Sequence, residues 1–324
     1  MIDKEHMIGV LDDFPNQINK GFFELADKVK VEGDFKNIVF VGMGGSALPG
    51  DIVKTLLRDI AKVPIIVHKS YNLPKFVDRD TLLFVVSYSG NTEETLDAYK
   101  AAKGRGCKIV VVTSGGNLRK FGESDKKPMV LIPSGIAPRL SVGYMFFGVL
   151  RVLQNSGIVK DNSDSVKKLV EKLKNPEFKM KGEELATKLI DKIPIIYSSD
   201  TMDVVAEIWK IAFNENSKIA AFYNYFPELN HNEMLGFTIP KANFHVIMIR
   251  EEDCNKRIAK RFKVTKEIIA KNASTTEVVV KGESHLLNIF TAVYIGYWTS
   301  YYLALKYGVD PTPVELVEGL KKRL

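Results

Sequence analysis

Cysteine is almost missing from the chain: Cys107 and Cys254 are the only two in 324 residues, and they stand far apart. That excludes a disulfide framework and a cysteine zinc site, and it fits a reducing cytoplasm. Histidine is scarce too, with five residues, and no His, Asp and Glu fall at a convincing metal-ligand spacing. No metal is therefore expected. The amino-terminal stretch has no apolar core, because Asp3, Glu5, Asp12 and Asp13 interrupt it, which argues against a secretory signal. One uncharged run, 286–305, is long enough to span a bilayer. It carries Asn288, Thr291, Thr299, Ser300 and tyrosines at 294, 297, 301 and 302, and no second such run exists. It reads as a helix buried between domains or subunits, and no membrane association is expected. No basic run threaded with aromatics is present either. The 46 Lys and Arg exceed the 39 Asp and Glu by only seven and alternate with them, as in 167–181. This balance favours anionic ligands in general and speaks against nucleic acid as a partner.

What is present is ordinary for a folded α/β protein. Hydrophobic residues make up 45% and charged residues 26%, enough for two domains with a core each. In the first half, apolar runs at Asn37–Val41, 63–67, 82–86, 109–113 and 129–132 read as strands. Helical patterns at 47–57, 92–103 and 141–154 fall between and after them, the sequence form of a parallel sheet with crossover helices. A polar, charged stretch from Lys160 to Lys181 puts the domain boundary near 156, giving domains 1–156 and 157–324. A second, less complete alternation follows, with strands at 193–197, 244–249 and 275–280. Its helices are expected at 204–216, 254–262, 265–271, 286–306 and 314–324. The ligand site of such sheets lies at the carboxyl ends of the strands.

Two segments after strands carry chemistry. Val41-Gly42-Met43-Gly44-Gly45-Ser46-Ala47 is a glycine-rich turn opening a helix, where close backbone approach and free N–H groups suit an anion. A weak dinucleotide reading survives, since Ala47 is a permitted variant of the third glycine. The second, Ser87-Tyr88-Ser89-Gly90-Asn91-Thr92, adds hydroxyls at 87, 89 and 92. With the N–H groups of a helix start, these can bind phosphate oxygens. Helix capping accounts for one hydroxyl and leaves the pair of serines around Tyr88 unexplained.

Together the two loops resemble the sugar isomerase (SIS) domain, which implies two flavodoxin-like domains and a phosphorylated sugar bound at Gly44, Gly45, Ser46, Ser87, Ser89 and Thr92. Phe213-Asn214-Glu215-Asn216, Pro227-Glu228-Leu229-Asn230-His231-Asn232-Glu233, Pro138-Arg139 and Leu320-Lys321 narrow the resemblance. They are similar to the bifunctional phosphoglucose/phosphomannose isomerases over nearly the whole chain. The resemblance implies Glu215 as catalytic base, His231 as the group that assists ring opening, and Lys321, or its neighbour Lys322, near the ring oxygen. It also implies a homodimer with shared active sites.

The residue types fit that chemistry. Aldose and ketose 6-phosphates interconvert through a cis-enediol when one base moves a proton between C2 and C1, a reaction for which no cofactor is expected. A carboxylate whose pKa burial has raised can both take and return it. An imidazole, with an unperturbed pKa of about 6.5, can serve ring opening near neutrality, and Lys321 or Arg139 can face the developing negative charge. Two alternatives are an amino-sugar phosphate enzyme and a non-enzymatic sugar-phosphate sensor. The first lacks an amino-terminal nucleophilic cysteine, and the second lacks room for a DNA-binding segment before the first strand or after Lys306.

Overall fold

A computed structural model describes residues 2–321 and 323 of the chain; Lys322, the alternative candidate lysine, lies outside the described residues. The chain divides into two compact units, Asp13–Glu171 and a second made of Met1–Asp12 with Lys172–Leu324. The first helix, α1 (Met7–Asp12), belongs to the second unit.

In the first unit α2 (Phe14–Phe23), β1 (Asn37–Val41), α3 (Leu48–Leu56), β2 (Ile65–His68), β3 (Thr81–Ser87) and α4 (Glu93–Gly104) come in chain order. They are followed by β4 (Lys108–Thr113), α5 (Gly116–Ser124), β5 (Met129–Leu131) and α6 (Val142–Asn155). All strands are parallel, in the order β2-β1-β3-β4-β5. The reason is visible in β3, Thr-Leu-Leu-Phe-Val-Val-Ser, every residue of which is buried. A strand covered on both faces reads as a continuous apolar run, and it pairs in a parallel sheet with helices on either side. On one face Val39, Val41, Leu83, Val85 and Val111 pack with Tyr99 and Leu118. On the strands themselves Phe40 and Phe84 stack at 4.7 Å.

The second unit is reached through α7 (Ser163–Leu173) and contains α8 (Glu177–Lys188), β6 (Ile193–Ser199), α9 (Asp203–Glu215), β7 (Phe222–Phe226) and β8 (Phe244–Glu251). After these come α10 (Lys256–Ile269), β9 (Ser274–Val280), α11 (His285–Lys306) and α12 (Glu315–Lys321). Its four parallel strands run β7-β6-β8-β9, the order of the first sheet without its fifth strand. The edge strand β7, Phe-Tyr-Asn-Tyr-Phe, is mostly exposed, so it shows neither a buried run nor alternation and was not expected. The two helices expected at 254–262 and 265–271 are one helix, α10. Lys263 and Val264 between them contain no breaker, and Asn255 caps the start by accepting from the Arg257 N–H at 2.9 Å.

The uncharged run forms α11, whose sides are buried against α8 and α9 within this unit. The Trp209 indole of α9 donates to the Ala292 carbonyl at 2.8 Å. Among the described residues no helix is long and apolar enough to cross a membrane. The start of the chain is tied to the same helix. The Asp3 carboxylate accepts from the Met7 and Ile8 N–H groups at 2.7 and 3.0 Å and from the Tyr301 hydroxyl at 3.2 Å, and Tyr294 donates to the Leu11 carbonyl at 3.1 Å.

Candidate active site

In the first sheet the strand order reverses at β1, which lies between β2 and β3. The crevice outside the carboxyl ends of β1 and β3 is where such sheets bind ligands. Both loops singled out in the sequence open there. Gly44–Ser46 forms a 3-10 turn ahead of α3, so the helix starts one residue later than expected. The Ser46 hydroxyl, 6% exposed, accepts the Tyr88 N–H at 3.0 Å and joins the two loops. A side chain at Gly45 would stand 2.8 Å from the Arg139 nitrogen, so only glycine lets the Pro138-Arg139 turn close on this loop. Arg139 itself is 2% exposed.

The hydroxyls of the second loop have unequal settings. Ser87 is wholly buried; its oxygen accepts the Gly90 N–H at 3.1 Å and lies 2.9 Å from the Thr92 hydroxyl. Thr92 precedes α4 without capping it, and Ser89 is exposed, its oxygen accepting the Asn91 N–H at 3.3 Å. Tyr88, which sequence reasoning gave no role, is the keystone. Its N–H meets Ser46, its hydroxyl donates to the Pro133 carbonyl at 3.1 Å and accepts the Ile136 N–H at 3.1 Å, and its carbonyl accepts the Ser114 hydroxyl at 2.6 Å. Burial pushes its phenol above the ordinary tyrosine range. The signal available in the sequence was an aromatic ring at a strand end between two serines.

In the second unit Glu215 is the last residue of α9 and half-buried. The turn after it is pinned to α11: Asn216 donates to the Ser300 hydroxyl at 2.9 Å and the Ser217 hydroxyl to the Ser300 carbonyl at 2.7 Å. The Lys218 ammonium donates to the carbonyls of Glu215 and Pro313 at 2.5 Å and of Pro311 at 3.2 Å. It therefore ties the end of α9 to the segment leading into α12, a role that no spacing in the sequence announced. His231 ends a 3-10 turn and is exposed, and Lys321 ends α12, also exposed. Among the described residues no three His, Cys, Asp or Glu side chains gather as metal ligands would.

A curated protein of Caldicellulosiruptor bescii named bifunctional phosphoglucose/phosphomannose isomerase is 39% identical over 329 residues, covering 96% of this chain and 97% of that protein. The chain belongs to the bifunctional phosphoglucose/phosphomannose isomerase family. The family described as bacterial phospho-glucose isomerase C-terminal SIS domain matches residues 178–324, and the SIS domain matches residues 34–119. A D-glucosamine-6-phosphate 4-epimerase of Sulfolobus acidocaldarius is 35% identical over 240 residues, 72% of this chain and 75% of that protein. Among solved structures, the C-terminal domain of glucosamine-fructose-6-phosphate aminotransferase from Francisella tularensis aligns at a TM-score of 0.73 and 17% identity, over 96% of this chain and 98% of that one. At that identity it speaks for the α/β fold alone. In this member of the isomerase family the expected phosphate residues and Arg139 lie in the first unit, and Glu215, His231 and Lys321 lie in the second.

Proposed function

We propose that the chain is an aldose-ketose isomerase that interconverts glucose 6-phosphate, and mannose 6-phosphate, with fructose 6-phosphate through a cis-enediol. The single observation that carries this is near full-length identity of 39% to a relative bearing that name. The substrate phosphate sits in the crevice of the first sheet, held by the N–H groups of Gly44 and Gly45 and the hydroxyls of Ser89 and Thr92. Ser46 and Ser87, whose oxygens already accept N–H groups of the loop, keep that loop in shape. Glu215 takes the C2 proton and returns it to C1. His231 moves protons at the ring oxygen and the C1 hydroxyl as the ring opens, and Arg139 and Lys321 face the negative charge of the enediolate.

The active form is a homodimer in which His231 serves the partner's site. In support, α9 returns from the carboxyl edge of β6, so Glu215 lies toward the edge where β7 begins, whereas His231 follows the carboxyl end of β7. Five residues of strand, roughly 16 Å, separate those edges. Phe222, Tyr223 and Tyr225 on the edge strand β7 are exposed, as are Leu235 and Ile239 after His231 in the chain, apolar surface suited to contact with a second copy. Action in the cytoplasm is consistent with two cysteines that remain free thiols.

The test is Glu215→Gln, which keeps shape and loses basicity. Sugar-phosphate binding should persist while turnover of fructose 6-phosphate falls on the order of 10²–10⁴-fold. Near-normal turnover would remove Glu215 from the mechanism. Product analysis by NMR separates isomerisation at C1 and C2 from inversion at C4.

A further inference from the structure

The four residues Asn230, His231, Asn232 and Glu233 do not act as one polar group. His231 and Asn232 are exposed, Asn232 donating only to Glu228 in the same turn at 3.0 Å, whereas Asn230 and Glu233 are half-buried and bonded to other elements. One carboxylate oxygen of Glu233 accepts the Tyr197 hydroxyl at 2.8 Å, and the other accepts the Asn224 side-chain amide. Tyr197 stands on β6, wholly buried, with Phe226 and Phe237 edge-on to its ring. The Asn224 side-chain oxygen Oδ1 already accepts the Tyr225 N–H at 2.8 Å, so the amide nitrogen is the end turned toward Glu233. Two adjacent strands thus hold this carboxylate, two residues from the imidazole. On the other side Asn230 donates to the Thr265 hydroxyl at 2.8 Å and accepts from Arg261 at 3.1 Å, both on α10. Between these anchors the backbone consists of two short 3-10 turns, Glu228–His231 and Glu233–Phe237. No ladder and no α-helix fixes where His231 stands, so side-chain anchors must.

We propose that Glu233 is a positioning residue for His231: clamped by Tyr197 and Asn224, it sets the place from which the imidazole reaches the sugar ring. The proposal rests on the reading of His231 as the ring-opening group. A shift of the imidazole by about 1 Å costs on the order of 10²-fold in rate, and the cost falls only on substrate that must be opened.

The experiment compares two substrates. Fructose 6-phosphate closes through its 5-hydroxyl; 5-deoxyfructose 6-phosphate lacks that hydroxyl and stays open-chain. Glu233→Ala should lower kcat/KM for the first by on the order of 10²-fold and for the second far less, and should add little in a His231→Ala background. Glu233→Gln keeps an acceptor for Asn224 and can donate to the tyrosine oxygen, so it should recover most of the loss. Equal losses on both substrates, or a full additional loss on top of His231→Ala, overturn the positioning role. If His231→Ala itself fails to distinguish the two substrates, the ring-opening reading falls and this one with it. If His231→Ala distinguishes them and Glu233→Ala does not, only the positioning falls. Should Glu233→Ala fail to fold, Tyr197→Phe removes one of the two ties at almost constant volume and is read in the same way.

Discussion

The unequal settings of the loop hydroxyls predict unequal losses of phosphate affinity. Ser87 accepts the Gly90 N–H and lies beside the Thr92 hydroxyl, buried from any ligand. When a phosphate is bound, the protons can run in one direction: Ser87 donates to Thr92, and Thr92 donates to a phosphate oxygen. Ser89 is exposed with its oxygen occupied by the Asn91 N–H, which leaves its own proton for the ligand. Removing a hydrogen bond to a charged group costs about 1.5–3 kcal/mol, roughly 10- to 150-fold in a dissociation constant. Ser89→Ala and Thr92→Val should each show that loss. Ser87→Ala leaves Thr92 able to donate and should cost less than about tenfold, the range of an uncharged bond. The assay is calorimetric titration of each variant with a phosphorylated open-chain sugar acid and with its unphosphorylated counterpart, which should be insensitive to all three changes. A Ser87→Ala loss as large as that of Ser89→Ala would refute the ordering. Equal losses for the two ligands would refute phosphate recognition by this loop.

Two further outcomes are expected. Mixing inactive Glu215→Gln with inactive His231→Ala subunits at equal ratio, with exchange verified by mass, should restore about a quarter of native activity, because half of the dimers are mixed and hold one intact site; verified mixed dimers without activity would place both residues in one subunit's cleft. His245 bridges the Ser274 and Thr276 hydroxyls at 2.9 and 2.8 Å, and its pKa is pushed down from 6.5 to about 4, chiefly by burial and then by Lys192 and Lys188. The folded value lies below the unfolded one, so the unfolded chain binds the extra proton between them. Stability held above pH 6.5 therefore drains away as pH falls toward 4, by at most roughly 3 kcal/mol. Urea unfolding across that range should be less pH-dependent for His245→Gln than for the native chain, and identical dependences would dismiss the assignment.

The strands that were legible are those whose burial is complete. β1, β3 and β4 carry apolar runs because helices cover both faces, and such runs stand out in one dimension. β7 did not, since in this edge strand only Phe226 is buried and the other aromatic rings are exposed, which writes neither a run nor an alternation into its sequence. The loops of the candidate site stood out in the sequence by residue type, but their geometry did not. Three serines look alike on paper; only pairing across 42 residues distinguishes Ser46, which holds Tyr88, from Ser89, which faces outward. Gly45 shows why: its need for glycine is set by the Arg139 backbone at 2.8 Å, nearly a hundred residues on. Asn230 and Glu233 likewise stand beside His231 in the sequence, and only the structure shows that their side chains bond to α10 and to β6 and β7.

Asp3, with its bonds to Tyr301, and Leu11, with its bond from Tyr294, set a timetable for synthesis. The segment that carries them leaves the ribosome nearly three hundred residues ahead of the helix that holds it. Asp13–Glu171 forms its own compact unit and contains every strand partner it needs, so it can close while the rest is still being made. The second unit cannot. Its opening segment must wait through the making of nearly three hundred residues, at about 5–20 residues per second a delay of tens of seconds, with Met7 and Leu11 uncovered. Loop closure over that length is costly in rate more than in stability, and the segment of Asp3 and Leu11 can return to α11 only once that helix has been made.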